Sequence, residues 1–254
     1  LFFEDAQFQL MGTPIFYVPR LRLPDPTMKR ATGFLIPSIR SRTQLGTGTK
    51  LPYFIAIGDH KDLTLTPYLA TNTSTLEWRY RQAFKTGELT FEGAISKDSF
   101  SGYDSRAYVF GRGDFDLPND YKLSFRLRQV SDSSYLADYD YSDLDRLTSN
   151  VRISRVDRTE NTQIALTNFE TVRTGEDNKV IPSWVFSARK QKRFAPKILG
   201  GEALWELEAH SHYRISDVDT DANADGIVDG RDVSRVNAGI EWRKDWLTSQ
   251  GLII

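Results

Sequence analysis

The sequence predicts an all-β chain, built mostly as an antiparallel transmembrane β-barrel of which it holds a part, about 12 strands. Three observations predict this. Apolar and polar residues alternate with a period of two over many segments, the signature of strands with one apolar face. The polar face of these segments is charged rather than merely hydrophilic. The gaps between them alternate between short and long, the asymmetry of membrane barrels.

Composition sets the limits. The chain has 254 residues, 33 basic and 34 acidic side chains and no cysteine, so this stretch forms no disulfide. Mean hydropathy is -0.45, and no apolar run nears the ~20 residues of a spanning helix. Barrel strands are only half apolar and escape that limit. A net charge of -1 argues against a nucleic-acid partner. No signal peptide is visible. The chain opens within a pattern at Leu1-Phe2-Phe3 and stops at Leu252-Ile253-Ile254, like a strand beginning, which predicts an internal fragment.

In chain order, residues 1–18 are rich in apolar and aromatic residues, among them Phe2, Phe3, Phe8, Leu10, Ile15, Phe16 and Tyr17. Pro37 and Pro52 then fall inside the first two expected barrel strands. Proline withdraws a ladder donor and is confined to edges, strand starts and bulges. Over 75–84, Leu76, Trp78, Tyr80 and Phe84 share one face, and Glu77, Arg79 and Arg81 the other. Over 88–96, Leu89, Phe91 and Ile95 oppose Glu88, Thr90 and Glu92. Over 121–130, Tyr121, Leu123, Phe125 and Leu127 oppose Lys122, Ser124, Arg126 and Arg128. Over 203–214, Trp205, Leu207, Ala209 and Tyr213 oppose Glu206, Glu208, His210, His212 and Arg214. Over 235–243, Val236, Ala238, Ile240 and Trp242 oppose Arg235, Asn237, Glu241 and Arg243. Strands near 107–115, 150–156 and 163–171 alternate poorly, and their registers stay open.

The odd-numbered gaps fall at 44–49, 72–74, 98–105, 132–147, 173–181 and 215–232. The even-numbered gaps, generally shorter, fall at 58–61, 86–87, 116–120, 157–159, 195–200 and 248–251. A soluble sandwich also alternates, with its apolar face on a core. The gap asymmetry and the aromatics near strand ends favour the barrel. A lipid-facing arginine or lysine at the midplane costs ~2–4 kcal/mol. In a barrel, Glu77, Arg79, Arg81, Arg126, Arg128, Glu206, Glu208, His210 and His212 must therefore line the lumen.

Residues 221–232, DANADGIVDGRD, match the oxygen spacing of an EF-hand loop: Asp221, Asn223, Asp225, Asp229 and Asp232, with Gly226 at the sharp turn. The loop ends in Asp rather than Glu and lies between strands, so an acidic flexible loop stands beside calcium as its reading. The basic run 189–193 reads as a solvated strand end near lipid phosphates. His210 and His212 lack a further metal ligand in sight. Arg112-Gly113-Asp114 is read as chance. No phosphate-cradling glycine loop, nucleophile elbow or cysteine nucleophile is present, and no enzyme is expected.

Residues 12–37 read GTPIFYVPRLRLPDPTMKRATGFLIP. The runs PIFYVP at 14–19, LRLP at 21–24, Lys29-Arg30, and GFLIP at 33–37 resemble a junction in the LPS-assembly LptD (OstA/Imp) family. There a periplasmic jelly-roll hands the chain to an outer-membrane barrel. Residues 131–141, SDSSYLADYDY, are similar to a loop of that family, and Leu51-Pro52-Tyr53 and Leu65-Thr66-Pro67 stand between in family order. The resemblance covers the whole chain, strongest over about the first 145 residues and weak beyond.

The resemblance implies that 1–26 end the periplasmic jelly-roll (OstA-like) domain and that 27–254 are the N-terminal half of the barrel, in a Gram-negative outer membrane. It implies that lipopolysaccharide (LPS) arrives from a periplasmic bridge and enters the outer leaflet through a lateral gate between the first and last strands, softened by Pro37 and Pro52. Phe2, Phe3, Phe8, Phe16 and Tyr17 become candidates for an acyl-chain groove, beside their reading as jelly-roll core. The implied partners are the lipoprotein LptE as lumen plug, LptA as bridge, and outer-membrane lipid; no cofactor is implied. Two rivals remain: another outer-membrane channel or receptor, and a secreted calcium-binding β-protein.

Overall fold

A computed structural model describes residues 2–10, 13–22, 30–197, 199–218, 220–221, 224, 226, 228, 231–247, 249 and 251. β1 (Phe2–Leu10) and β2 (Thr13–Arg22) pair antiparallel as a sheet of their own, with a register shift between Phe8 and Gln9. All other described strands form a second sheet: β3 (Gly33–Phe34), β4 (Ser38–Arg42), β5 (Gly46–Lys50), β6 (Tyr53–Ala56), β7 (Lys61–Ala70), β8 (Thr73–Phe84), β9 (Gly87–Asp98), β10 (Arg106–Asp116), β11 (Lys122–Val130), β12 (Arg146–Val156), β13 (Glu160–Thr171), β14 (Trp184–Phe194), β15 (Glu202–Tyr213) and β16 (Val233–Arg243).

Two of these are broken strands. β5 and β6 pair with β7 in one unbroken register, Lys50↔Tyr68 and Tyr53↔Leu65, so they are one strand interrupted at Leu51-Pro52. β3 and β4 run along its other side, Phe34↔Tyr53 and Ser38↔Lys50. Residues 35–37 there face only Leu51 and Pro52, a bulge that holds Pro37. The sheet therefore has twelve strands, each paired with its chain neighbours, as expected. It is not closed: β16 forms one edge, and β3 with β4 the other.

Register carries two faces across the sheet. The row Phe84, Gly87, Phe115, Leu123, Ile153, Ile164, Ala188, Ala209 and Val236 runs strand to strand on the apolar face. The row Arg81, Thr90, Arg112, Arg126, Asn150, Thr167, Val185 and His212 runs on the charged face. The apolar row starts at the last residue of β8, beside the short turns, and reaches β16 seven residues from Arg243 at that same end. This cumulative stagger is the geometry of tilted strands.

No second layer covers the apolar face among the described residues. Ile95, in mid-sheet, is 57% exposed; Leu69 is 64%, Val236 70% and Ile240 77% exposed. A soluble sheet would hide such a face against a second layer.

The poorly alternating segments are full strands, and packing explains their pattern. On β10, Tyr108 and Phe110 sit on the charged face, Tyr108 against Tyr141 of the loop above. Gly111 and Gly113 sit on the apolar face, where a Cβ would fall 2.6 Å from a Phe91 ring carbon and 2.9 Å from one of Phe125. The small residues admit the neighbouring rings, and the alternation fades.

Among the described residues, a tight core lies over the charged face, at the end with the longer loops. After β11, the loop 131–145 makes a short helix, α1 (Tyr135–Tyr139), which ends at Asp140 in the left-handed conformation, φ 60°. Leu45, Tyr68, Tyr135 and Tyr139 pack together there, with Ala70, Tyr108, Val130 and Tyr141 against them.

Candidate functional site

The charged face concentrates arginine. Arg79 and Arg81 of β8, Arg112 of β10, and Arg126 and Arg128 of β11 line one concavity of about 400 Å³. Glu92 of β9, opposite Arg79, is the acidic side chain in its lining. Arg112 and Arg126 are direct cross-strand partners, an arrangement that repels. Arg81 is held by Asp62, at 3.0 and 3.1 Å, and Asp62 also accepts from Arg30. Among the described residues, Arg79, Arg112, Arg126 and Arg128 make no ion pair. The concavity thus offers several unpaired guanidiniums to an anion, and phosphate or carboxylate fits their forked geometry.

The structure brings the four expected arginines of this half together and adds Arg112. Arg112, in a tripeptide that reads as chance, is placed on this face only by the strand register of 106–116. Glu77 lies on the same face nearer the loop and pairs with Lys50. Glu206, Glu208, His210 and His212 occupy the charged face of β15, far along the sheet from the arginines. Glu206 and Glu208 share Arg189 there, at 3.3 and 2.9 Å, so this part of the face pairs its own charges and the Arg189 guanidinium is not free. His210 and His212 have ring centroids 6.2 Å apart, and no cluster of three metal-ligating side chains stands among the described residues.

Beside the arginines, the first strands are weakly sewn. Leu35 N–H donates to Pro52 O at 2.8 Å, and Leu51 N–H to Pro67 O at 3.0 Å. In an antiparallel strand a residue's N and O point to the same neighbour. Pro52 therefore withdraws a donor from the seam with β3 and β4, and Pro67 one from the seam between β5/β6 and β7. By contrast, β8 and β9 pair without a break from Thr73↔Asp98 to Phe84↔Gly87. Pro67 escaped notice as a seam residue because its strand alternates normally around it.

Sequence reading also missed the anchor of the 131–145 loop. Arg106 is 1% exposed and donates to Asp132 at 2.6 and 2.9 Å, Asp138 at 2.9 Å, Asp98 at 3.3 Å and Ser134 Oγ at 2.8 Å. Burial raises the Asp132 carboxyl, but hydrogen bonds from Arg106 and Ser131 outweigh it and hold the group below the ordinary value. The loop tyrosines reach down to the strands: Tyr135 shares a hydrogen bond with Ser96 at 2.6 Å, and Tyr139 with Thr73 at 2.7 Å. Tyr141 O–H donates to Glu77 at 2.9 Å. Burial and the nearby Glu77 carboxylate push the Tyr141 hydroxyl upward. Asp140 pairs with Arg42 at the end of β4, so the loop also holds the first hairpin.

Two groups of expected residues are only partly described. The side chains of Phe2, Phe3, Phe8 and Phe16 lie outside the described residues; Tyr17 is exposed and donates to Asp5. Asn223, Asp225 and Asp229 of the calcium-like loop also lie outside. Asp221 accepts from Gly226 N–H at 2.7 Å, as an EF-hand turn would, while Asp232 accepts from Arg214 N–H at 2.8 Å. If the loop takes calcium, titration calorimetry should show one saturable site that Asp221→Ala and Asp225→Ala abolish; no heat of binding disposes of it.

The family model described as LptD, LPS transport system D, matches residues 104–254. The LPS-assembly protein LptD of Shewanella oneidensis is 30% identical over 195 residues, 73% of this chain and 25% of that protein. That of Shewanella denitrificans is 28% identical over 222 residues, 84% of this chain and 26% of that protein. That of Haemophilus influenzae is 30% identical over 142 residues, 53% of this chain and 18% of that protein. The chain spans about a quarter of the length of the first two. The family model covers mainly the half in which the sequence motifs are sparse, so the likeness there is stronger than the motifs alone suggested.

Proposed function

We propose, from the premise that this chain belongs to the LptD family, that it forms part of an outer-membrane barrel that carries LPS to the outer leaflet. The observation that carries this reading is the twelve-strand sheet with a bare apolar face, a charged face and a stagger that accumulates strand by strand. An apolar face that stays bare from strand to strand across the sheet needs an apolar phase against it, and a bilayer supplies one. The stagger suits closure with further strands into a tilted barrel. The end where β3 begins would face the periplasm, and the 131–145 loop would lie outside.

In this reading the charged face is the lumen wall, and its unpaired arginines meet the phosphates and acidic sugars of LPS. LptE as lumen plug and LptA as periplasmic bridge are proposed as partners on the family resemblance, as is the jelly-roll character of 1–26. The first strands border the lateral gate, and Pro52 loosens the seam between the first two of them, which lowers the cost of displacing the outer one when the gate parts.

Orientation is tested in the full-length protein in lipid vesicles. A fluorophore attached through Val236→Cys should be quenched by spin-labelled lipid, and the thiol of Asn237→Cys should react with water-soluble maleimides. The reverse pattern would falsify the barrel reading. The gate is tested by Pro37→Ala with Pro52→Ala. Restored donors, worth ~0.5–1.5 kcal/mol each, should tighten the seam and slow the appearance of LPS at the cell surface. An unchanged rate in the double variant sinks the gate.

A further inference from the structure

We propose that the outer wall of β12–β14 carries a binding site for the phosphate of a glycerophospholipid in the periplasm-facing leaflet. The proposal rests on the barrel reading and adds a site to it. Arg155 of β12, Glu160 and Thr162 of β13, and Lys190 and Lys192 of β14 are joined by register, Arg155↔Thr162↔Lys190 and Glu160↔Lys192. They share the face of Ile153, Ile164 and Ala188, the apolar one. Alternate residues of the basic run 189–193 thus part company: Arg189 joins Glu206 and Glu208 on the charged face, while Lys190 and Lys192 point to the lipid side.

Three cations surround one carboxylate there. Glu160 lies 3.7 Å from Arg155, 3.5 Å from Lys190 and 3.9 Å from Lys192, each longer than a charge-assisted hydrogen bond. Arg155 Nε is buried without a hydrogen-bond partner. The cluster keeps two uncompensated positive charges and unspent donors on a mainly apolar face. Aromatics frame it: the Arg155 guanidinium lies 5.4 Å from the Tyr121 ring centroid, and Trp205 is the register partner of Lys192. Aromatic rings beside long basic side chains mark the level of lipid headgroups.

Position selects the leaflet. The cluster adjoins the short turn 157–159, at the end of the sheet where β3 begins. At the other end of the same three strands this face ends in Leu147, Glu170 and Trp184, without a cation. A phosphate fits the first end and is repelled by the second.

The test uses the full-length protein in non-ionic detergent. Retention of phosphatidylglycerol and of chain-matched diacylglycerol, which lacks the phosphate, is read by native mass spectrometry, with inorganic phosphate as competitor. The wild type should favour phosphatidylglycerol by roughly tenfold, the worth of one charge-assisted contact. Lys190→Gln with Lys192→Gln should abolish the preference. Glu160→Gln should strengthen it, which a merely structural role for the cluster would not do. Equal retention of the two lipids, no effect of the lysine substitutions, or displacement by millimolar inorganic phosphate would each overturn the site. Failure of the chain to enter vesicles at all would instead fell the barrel reading, because that step precedes lipid selection.

Discussion

Arg106→Ala should destabilise the 131–145 loop and its packing on the strands by ~3–5 kcal/mol, the cost of breaking a buried charge network from one side. The guanidinium is the only cation that Asp132 and Asp138 contact among the described ion pairs. Without it, three carboxylates remain crowded in a space that is nearly dry, with side chains of Asp98, Asp132 and Asp138 only 0%, 7% and 18% exposed. α1 is too short to stand alone, so its tyrosines should leave Ser96 and Thr73 together with it. Arg106→Lys should recover only part of the loss, since one ammonium cannot span the fork-like contacts with Asp132. Protease cleavage within 131–145 and the thermal midpoint of the full-length protein read the effect. Cleavage and midpoint equal to wild type would show that the network does not hold the loop.

The same network sets an acid limit. Asp132 is held below its ordinary value of 3.8, so the unfolded loop binds its proton more readily than the folded one. The stabilisation is complete above that ordinary value and drains away as pH falls through the lower folded value. Loop protection from protease should therefore be flat from neutral pH down to the carboxylate range and drop only below it. Arg106→Ala should remove that dependence.

How much of this was written in the sequence differs from strand to strand. β8, β9, β11, β15 and β16 were legible because one face meets a uniform environment, and period two survives intact. β10 was not, because its charged face also carries Tyr108 and Phe110, and its apolar face yields space through Gly111 and Gly113. β13 was obscured by threonine and asparagine, which suit either face. The breaks at Pro37 and Pro52 were legible because proline's missing donor has one consequence in a ladder. Pro67 was legible in principle, but which seam it weakens depends on the direction of its carbonyl, a matter of register. Arg106 could be placed on a charged strand face and no further. Its partners Asp132 and Asp138 lie beyond β11, and only the return of the loop brings them back. Alternation likewise assigned Arg79, Arg81, Arg126 and Arg128 to one face. That they converge, whereas Glu206 and Glu208 find Arg189, is a matter of which strands are neighbours.

Arg126→Glu should raise the stability of the sheet while lowering LPS delivery. Arg126 stands directly opposite Arg112, and a glutamate there turns a repelling pair into an attractive one worth ~0.2–1 kcal/mol. Proteins keep such a strained pair where a ligand supplies the missing counter-charge. The concavity then loses two units of positive charge, and the new carboxylate competes with the ligand for Arg112. Loss of one guanidinium contact with a phosphate or acidic sugar forfeits ~1.5–3 kcal/mol, which corresponds to a fall in delivery of roughly ten- to a hundredfold if that contact lies on the path. Arg126→Gln separates the two effects: repulsion is relieved without a competitor for Arg112, so delivery should fall less. The measurements are the thermal midpoint and the rate at which LPS reaches the surface of cells that depend on the variant. A higher midpoint with unchanged delivery would mean that the arginines of this face serve something other than the cargo, and that LPS passes without touching them.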